Sequence, residues 1–441
     1  MPDPAAPAGA VTPRYDAVIL GAGPGGYDCA LEAAARGLSV ALVHAGPLGG
    51  TCLNEGCIPT KFWLGGTEAL DELEAQAGVK IASGDVCVDF AALAARTAAL
   101  IEATRKAMAK RLADAKVTAY AARGRFAGPG VLELTGAGVP ARIGYGQAVI
   151  ATGARPAAPA FLRPDGDKIL SSTEFLALTA MPARLLVVGA GFIGLELAQA
   201  AHRLGAAITL VDAMDRPAPA EDPEVSKLLA QILKRRKWDL RLGGRVSGLV
   251  STPEGAVLTL DGGETLSADL ALVAVGRGPV SDGLGLSTIG ASTVGPGWID
   301  TDDFLQAADR VYAIGDVNGR AMLAHAASHQ ARYVAARLGA QPDQCCTGPY
   351  ESGPVPSILY GDPEVLRVGR LEAEAVAEAA SSGETPVVTR AQLAANPMAQ
   401  AHAATRGFVK VVWSRGRVIG VTAVGRDVSR LATAATILVA E

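Results

Sequence analysis

The sequence of 441 residues predicts an α/β protein with several domains. Three observations lead to this prediction. The chain is longer than one hydrophobic core usually organises. Two segments repeat the same order of apolar run, glycine turn, alanine-rich stretch and second apolar run. Near the C-terminus, two apolar runs flank a short turn, as in a β-hairpin. Hydrophobic residues make up 49% and charged residues 19%, which is typical of a compact folded chain.

Composition excludes several functional classes. The net charge of −4 gives no reason to expect a nucleic-acid or anionic-membrane surface. No apolar run reaches the roughly 18 residues that span a bilayer. Residues 1–13 lack the basic start and apolar centre of a signal peptide, so we expect a flexible leader and a cytoplasmic location. Six cysteines in so long a chain do not indicate a secreted disulfide scaffold.

The internal repeat is the most informative feature. Asp16–Ala45 and Arg184–Ala213 each contain G-x-G-x-x-G between an apolar run and an alanine-rich helix, which predicts a βαβ unit. These glycines allow a tight turn and let a pyrophosphate approach the helix N-terminus. One such motif can arise by chance, but two with correct flanks predict two bound dinucleotides. The glycines are Gly21, Gly23 and Gly26 in the first copy, and Gly189, Gly191 and Gly194 in the second.

The residue that ends each repeat predicts how the cofactor is recognised. Asp212 lies 23 residues after Gly189, where a carboxylate can accept hydrogen bonds from an adenosine ribose. A 2′-phosphate would be repelled there, so NAD is favoured over NADP, although Arg216 is nearby. His44 occupies the equivalent position in the first repeat. A neutral imidazole is a poorer partner for a hydroxyl, so we expect weaker cofactor retention without loss of the site.

Three further motifs follow apolar runs. Two of them fall where a two-nucleotide fold would cross between domains; one contains Thr152 and Gly153, and the other contains Gly276. Asp316 follows the apolar run that begins at Val311. We expect it to bind a ribitol hydroxyl, to cap the following helix, or to do both.

A cysteine pair lies between the repeats. Cys52 and Cys57 are five residues apart, and on an ideal helix their Cα atoms would be roughly 8.6 Å apart, too far for a disulfide. A bond therefore needs a distorted turn, for which Gly56 and Pro59 are suitable. A distorted, accessible disulfide is easily reduced, which favours catalysis over a structural role. The alternative, a metal site, lacks two further ligands at plausible spacing.

The other four cysteines do not indicate a specific function. Cys29, on the first alanine-rich helix, and Cys87, in a predicted strand, are expected to be buried small residues. Cys345 and Cys346 lie in a connector. They are expected to be incidental, although neighbouring thiols could bind a soft metal or oxidise.

With these motifs in this order, the chain resembles the class I pyridine nucleotide–disulfide oxidoreductases from Tyr15 onward. The segment Gly49–Lys61, GGTCLNEGCIPTK, is most similar to the dihydrolipoyl dehydrogenase type. Met322–His325 and Pro356–Glu364 are further matches to that type. The resemblance implies FAD and NAD as cofactors. It also implies two Rossmann-like FAD/NAD(P)-binding domains, a C-terminal α+β dimerisation domain and a homodimer.

The resemblance also implies residue roles. Cys57 would be the sulfur next to the flavin, and Cys52 would exchange with the substrate. Lys61 would approach flavin N5 and pair with Glu196, whereas His325 is expected to be structural. The implied FAD-binding residues are Gly21, Gly23, Gly26, His44, Gly50, Thr51, Lys61, Thr152, Gly153 and Asp316; those for NAD are Gly189, Gly191, Gly194, Asp212 and Gly276.

The domain organisation follows from the same resemblance. After the leader, we expect an FAD-binding domain, an inserted NAD-binding domain, a central domain and a C-terminal interface domain, at residues 14–157, 158–279, 280–348 and 349–441 respectively. In the last of these, Gly407–Trp413 and Arg417–Val424 predict a hairpin, and Val428–Ala440 predicts a buried helix.

One family motif is missing. A C-terminal H-P-x-x-x-E dyad usually supplies the acid–base catalyst, but none of the five histidines has Glu five residues later. The sequence ends at Glu441, inside the predicted helix, so we expect a truncated product or, as the alternative, natural loss of the segment. For this chain we then expect NADH-driven dye reduction with little dihydrolipoamide oxidation, and weaker dimer packing.

The predicted reaction is the oxidation of dihydrolipoamide by NAD+ through FAD and a Cys52–Cys57 disulfide. Alternatives are another disulfide reductase or a mercuric reductase of the same family, and a flavin-binding scaffold that has lost turnover. A possible partner is a lipoyl-bearing protein of a 2-oxo acid dehydrogenase or glycine cleavage system; neither nucleic acid nor membrane is expected.

Overall fold

The computed structural model describes residues 12–84, 86–338, 348–383 and 385–441. The chain divides into two compact units and passes between them several times. The first unit contains the described residues of Met1–Asn54, Ile101–Arg155 and Gly278–Ser352; the second contains those of Glu55–Leu100, Pro156–Arg277 and Gly353–Glu441.

The strands of the described residues are, in chain order, β1 Arg14–Leu20, β2 Val40–His44, β3 Thr118–Ala121, β4 Arg123–Gly128, β5 Val131–Thr135, β6 Arg142–Ile150, β7 Ala154–Pro156, β8 Ile169–Leu170, β9 Arg184–Val188, β10 Ala207–Asp212, β11 Asp239–Leu242, β12 Val246–Thr252, β13 Gly255–Leu260, β14 Thr265–Ala268, β15 Leu270–Val273, β16 Arg277–Pro279, β17 Thr293–Val294, β18 Trp298–Ile299, β19 Gln306–Ala308, β20 Val311–Ala313, β21 Ser357–Leu359, β22 Glu364–Gly369, β23 Val387–Gln392, β24 Phe408–Ser414 and β25 Arg417–Gly425.

The α-helices are α1 Pro24–Ala35, α2 Gly50–Asn54, α3 Cys57–Gly78, α4 Phe90–Asp114, α5 Ser172–Phe175, α6 Phe192–Arg203, α7 Pro223–Arg235, α8 Ala324–Leu338, α9 Glu372–Ser382, α10 Pro397–Ala401 and α11 Ala432–Ala440. Short 3-10 turns occur at Ala160–Leu162, Leu286–Ile289, Gly315–Asn318, Leu393–Ala395 and Val428–Leu431. In the part of the chain that the structure describes, no helix is both long and apolar enough to cross a membrane.

The first unit is built on a parallel sheet. Its strands follow the order β19-β20-β6-β1-β2-β3, with β4 and β5 extending the sheet from β6. The run AVIL of β1 is buried and pairs in parallel with both β2 and β6. Such a central strand is apolar on both faces because helices or loops cover both sides of the sheet. Helices α1 and α8 pack together in this unit, where Gly25 approaches Ala327.

The second unit contains the second repeat. Its parallel sheet has the order β11-β10-β9-β15-β8, and β12, β13 and β14 form a separate antiparallel sheet. A further antiparallel sheet, β21-β22-β25-β24-β23, is built from residues from Ser357 onward. Both repeats therefore fold as the predicted βαβ units, with β1-α1-β2 and β9-α6-β10 in parallel register.

The C-terminal predictions fare differently. The hairpin is confirmed, since β24 and β25 pair antiparallel around Arg415 and Gly416. The prediction of a buried helix over Val428–Ala440 is wrong in two respects. The segment starts as a 3-10 turn, and in α11 the side chains of Ile437 and Leu438 are 53% and 51% exposed. Apolar composition predicted the helix but did not show which surface covers it.

Candidate active site and nucleotide-binding turns

The first glycine turn follows β1. Gly21 has φ +108°, and a Cβ there would overlap the carbonyl oxygen of Ala151; a Cβ at Gly26 would overlap the carbonyl oxygen of Gly21. These two glycines are therefore required by the protein's own packing. Gly23, the N-cap of α1, differs because a Cβ there would meet no protein atom within 4 Å. The space over Gly23 lies at the N-terminus of a 12-residue helix, where a pyrophosphate fits.

The second glycine turn repeats this arrangement. Gly189 has φ +112° and lies against the carbonyl of Ala274, and Gly194 lies against the carbonyl of Gly189. Gly191, the N-cap of α6, again faces open space. Two turns in different units thus share the same pattern of two crowded glycines and one open glycine. This pattern fits two dinucleotides, one in each unit.

The ends of the second strands differ between the repeats. At the end of β10, Asp212 Oδ2 accepts a hydrogen bond from the Ala190 N–H at 2.6 Å, and Oδ1 accepts one from the Met214 N–H at 2.8 Å. A carboxylate retains further acceptor sites for ribose hydroxyls. Arg216 donates to the carbonyl of Pro219 at 3.0 Å. At the end of β2, His44 Nδ1 lies 2.7 Å from the carbonyl of Gly46.

The segment before Cys52 packs on the first glycine turn. Gly49 and Gly50 have φ +92° and +55°, and a Cβ at Gly50 would lie 2.7 Å from the Cα of Gly23. The Asn54 side chain donates to the carbonyl of Leu48 at 2.9 Å and to that of Gly50 at 2.7 Å. Asn54 thus fixes the turn that starts α2, which carries Thr51 and Cys52. Sequence analysis did not single out Asn54; its position inside the cysteine motif was the available signal.

The two cysteines lie on different helices. Cys52 is in α2 and Cys57 is the first residue of α3, with Glu55 and Gly56 interrupting the helical path. Gly56 has φ −153° and ψ −105°, and Pro59 sits in the first turn of α3, where a missing N–H is tolerated. Both cysteines are half-buried. The interruption expected from the five-residue spacing is present, and the disulfide itself stays a prediction.

A charged pair lies one helical turn after Cys57. Lys61 Nζ is 2.6 Å from Oε2 of Glu196, which is 4% exposed on α6. Glu196 Oε1 accepts a hydrogen bond from the N–H of Tyr360 at 3.0 Å. Burial raises the pKa of Glu196, and the Lys61 ammonium opposes that rise. This contact joins residues 135 positions apart in sequence.

The remaining predicted site residues lie at strand ends. In the first unit, Thr152 Oγ1 donates to the carbonyl of Val280 at 2.6 Å, beside Gly153 with φ +74°. Gly276 follows β15 with φ +152°. Asp316 is half-buried in the 3-10 turn Gly315–Asn318, whose N-cap is Ile314. The interpretation of Asp316 as a helix N-cap is therefore wrong.

The residues expected to be structural also differ in outcome. Cys29 is fully buried in α1, and burial raises the pKa of its thiol to about 12, so it is unreactive. The expectation of a buried Cys87 in a strand is wrong, because Cys87 is exposed in the loop before α4. His325 is exposed in the first turn of α8. Cys345 and Cys346 lie outside the described residues.

Comparison with known proteins places this geometry in a family. Residues 15–331 match the model of the pyridine nucleotide-disulphide oxidoreductases, and residues 355–441 match that family's dimerisation domain. The chain belongs to the pyridine nucleotide–disulphide oxidoreductase family. This oxidoreductase uses FAD and NAD(H), and its α/β fold with a C-terminal dimerisation domain is the fold predicted from the sequence.

Relatives refine the placement of this oxidoreductase. It is 35% identical to a dihydrolipoyl dehydrogenase of Chlorobaculum tepidum, over 95% of this chain and 89% of the relative. It is 36% identical to a dihydrolipoyl dehydrogenase of Trypanosoma brucei brucei, over 92% and 86%. Among solved structures, LpdA of Mycobacterium tuberculosis superposes with a TM-score of 0.86 at 26% identity, covering 97% of this chain and 93% of that one. The HOCl-induced flavoprotein disulfide reductase RclA of Escherichia coli, solved as a Cu(II) complex, gives 0.83 at 25%, covering 96% and 92%.

Proposed function

We propose that this oxidoreductase oxidises dihydrolipoamide with NAD+. The observation that carries the proposal is the Lys61–Glu196 pair, held one helical turn after Cys57 at the start of α3. Several relatives called dihydrolipoyl dehydrogenases match nearly the whole chain. The motif GGTCLNEGCIPTK also resembles that type. The open glycine turn in each unit supports binding of the two cofactors.

The thiol chemistry is assigned to the two cysteines. One substrate thiolate attacks the Cys52 sulfur of a Cys52–Cys57 disulfide, forming a mixed disulfide and releasing Cys57 as a thiolate. The second substrate thiolate then attacks the substrate sulfur of the mixed disulfide, which closes lipoamide and releases Cys52. The substrate loses two electrons and two protons. The cysteine pair gains the two electrons; overall, one proton is accounted for in the NADH formed and the other is released to solvent. Bound FAD supplies the two-electron relay from the cysteines to NAD+.

The chain's own charges support these steps. Cys57 is the first residue of the 22-residue helix α3, where the helix dipole stabilises negative charge on its sulfur. Lys61 brings an ammonium to the same helix end, and buried Glu196 holds that ammonium in place. We assign both residues to the flavin side of the cysteine pair, as the family resemblance implies.

The cofactor sites are assigned residue by residue. Gly21, Gly23 and Gly26 would hold the FAD pyrophosphate, with His44 at the adenosine ribose and Asp316 at the ribitol. Gly189, Gly191 and Gly194 would hold NAD, with Asp212 at its ribose. The remaining assignments are Gly50, Thr51, Thr152 and Gly153 for FAD, and Gly276 for NAD.

A second candidate is reduction of another disulfide or of a metal ion. The solved Cu(II) complex of the related reductase RclA favours testing copper. Within the described ranges, no group of three or more His, Cys, Asp or Glu side chains is arranged to hold a metal ion. We assign the reduction of a metal-ion substrate to the same cysteine pair, Cys52 and Cys57.

The assembly is also part of the proposal. The chain carries the family's dimerisation domain, and Ile437 and Leu438 leave an apolar face on α11. We assign the protein as a cytoplasmic homodimer that oxidises the dihydrolipoyl group carried by a partner protein. The domain boundaries at residues 157, 279 and 348 belong to the same proposal.

The deciding experiment compares substrates on the FAD-loaded protein. Anaerobic single-turnover flavin reduction is followed with dihydrolipoamide, glutathione and dithiothreitol, and NADH-driven reduction is followed with lipoamide, glutathione disulfide, Cu(II) and Hg(II). The proposal expects dihydrolipoamide and lipoamide to be preferred over the other substrates. Dihydrolipoamide oxidation should nevertheless be slow, because the 441 residues contain no H-P-x-x-x-E dyad to transfer the proton. Cys52→Ser should abolish both reactions while NADH still reduces the flavin. Preference for a metal ion or another disulfide selects the second candidate. If the protein binds flavin but reacts with none of these substrates, the result would support the alternative of a flavin-binding scaffold that has lost turnover.

A further inference from the structure

Tyr360 contacts both members of the Lys61–Glu196 pair. Its N–H donates to Glu196 Oε1 at 3.0 Å, and its ring centroid lies 5.0 Å from Lys61 Nζ. The backbone thus holds the carboxylate while the ring holds the ammonium. A lysine ammonium within about 6 Å of an aromatic ring is attracted by the negative face of that ring.

The position of Tyr360 is fixed by the residues that follow it. The N–H of Asp362 donates to Gln199 Oε1 at 2.8 Å, and Gln199 is 1% exposed. Gly361 lies directly on the Gln199 amide, where an added Cβ would overlap it, and has φ +131°. Glu196 and Gln199 are three residues apart on α6, so one face of that helix binds two amides of the loop, those of Tyr360 and Asp362.

The same helix face is anchored further along. Arg203, one turn beyond Gln199 on α6, is ion-paired with Asp71 of α3 and donates to the carbonyl of Leu64 at 2.9 Å. Arg236 pairs with Asp71 at 3.2 Å and also contacts Asp362. These largely buried contacts connect α3, α6 and the loop over residues 360–362, so the backbone that carries the Tyr360 ring is held in place.

We infer that Tyr360 is a positioning residue that confines the Lys61 ammonium against Glu196 and so fixes the charge presented to the bound flavin. A lysine side chain has four rotatable bonds, and Lys61 is 36% exposed, so Glu196 alone leaves part of its motion unrestrained. The ring limits that motion from a second side. The inference rests on the proposed function, because it requires Lys61 to act on the flavin.

The ring, not the hydroxyl, is the active part in this account. Tyr360→Phe keeps a ring over Lys61, whereas Tyr360→Leu removes the ring but keeps an apolar side chain. The backbone N–H that binds Glu196 is present in both variants. Phe90→Leu is the matched control, because it removes a ring of the same unit that packs on Trp63 instead, with 5.0 Å between the ring centroids.

The test measures the midpoint potential of the bound flavin and the turnover rate with dithiol and NAD+. Tyr360→Leu should make the potential more negative, because a less confined cation stabilises the reduced flavin less. It should also lower turnover by about 2- to 10-fold, the range expected for one cation–π contact. Tyr360→Phe and Phe90→Leu should leave both quantities near those of the parent protein, with flavin content unchanged in all three.

A double-mutant cycle with Lys61→Met separates the possible failures. If Tyr360 acts through Lys61, Tyr360→Leu will have no further effect in the Lys61→Met background. The inference is overturned if its effect persists there in full, if Phe90→Leu has the same effect, or if Tyr360→Leu changes nothing while Lys61→Met does. If Lys61→Met itself leaves potential and turnover unchanged, the proposed role of Lys61 is wrong and the inference falls with it.

Discussion

Asp212 accepts a hydrogen bond from the backbone N–H of Ala190 at 2.6 Å, which ties the end of β10 to the glycine turn that starts α6. The hydrogen bond holds the carboxylate against the turn at Ala190, the residue before Gly191. An acceptor held in this way can bind ribose hydroxyls without reorganising when the cofactor arrives.

The first prediction follows from that orientation. Asp212→Ala should raise the KM for NADH by about 10- to 100-fold, the range for losing hydrogen bonds to a charged group. The KM for NADPH should rise less, because the carboxylate repels a 2′-phosphate. Steady-state kinetics with NADH and with NADPH measures the ratio of the two KM values. Arg216→Ala is the control, since its guanidinium binds the Pro219 carbonyl and should leave the preference for NADH intact. An unchanged NADH-to-NADPH ratio in Asp212→Ala would refute the assignment.

The second prediction separates the glycines of each turn. Gly23→Ala and Gly191→Ala should fold normally, because a methyl group meets no protein atom within 4 Å at either position. Gly23→Ala should lower bound FAD per chain about tenfold, and Gly191→Ala should weaken NADH binding to a similar degree, by obstructing a pyrophosphate.

The neighbouring glycine supplies the contrast. Gly26→Ala should yield little folded protein, because its Cβ would overlap the Gly21 carbonyl. Gly65→Ala, in the middle of α3 with open space around it, should keep full FAD content and stability. Absorbance per chain and thermal unfolding read out both properties. Full FAD content in Gly23→Ala would show that the open space over Gly23 is not the pyrophosphate site.

The third prediction concerns pH. His202, on α6, has its pKa lowered from 6.5, mainly by burial and further by the positive charge of Arg236. The unfolded chain then binds more protons than the folded one just below pH 6.5, so the fold loses stability as pH falls through that region. His202→Gln should remove the pH-dependent loss of stability that His202 causes. The melting temperature of this variant should therefore decline less on acidification than that of the parent. His325→Gln, at an exposed site, is the control. Parallel pH curves for parent and His202→Gln would contradict the prediction.

Much of the nucleotide-binding fold was predictable because its determinants are local. Positions 21 and 189 require glycine because the turn packs there against the backbone of Ala151 or Ala274, which follow neighbouring strands of the sheet. This requirement is recognisable in a six-residue motif. The strand-helix-strand order follows from apolar runs on either side. The C-terminal hairpin was predictable for the same reason.

The features that could not be predicted from the sequence depend on contacts between distant segments of the chain. Lys61 and Glu196 are 135 residues apart, and only the family resemblance suggested their pairing. The ring of Tyr360 over Lys61 could not be read from spacing at all. Cys87 was predicted to lie buried in a strand, but Val86, Cys87 and Val88 lie in an irregular loop. Apolar content likewise did not show that Ile437 and Leu438 would be exposed in the single chain.

The fourth prediction is the most direct test of the central claim, that Cys52 and Cys57 are the redox pair. The FAD-loaded, air-oxidised protein is alkylated, digested without reductant and mapped by mass spectrometry, with and without prior anaerobic NADH. We predict a Cys52–Cys57 cross-link in the oxidised sample and alkylation of both residues after NADH, while exposed Cys87 is alkylated in each. Alkylation of Cys52 and Cys57 before any NADH is added, or a link from either to another cysteine, would contradict the account.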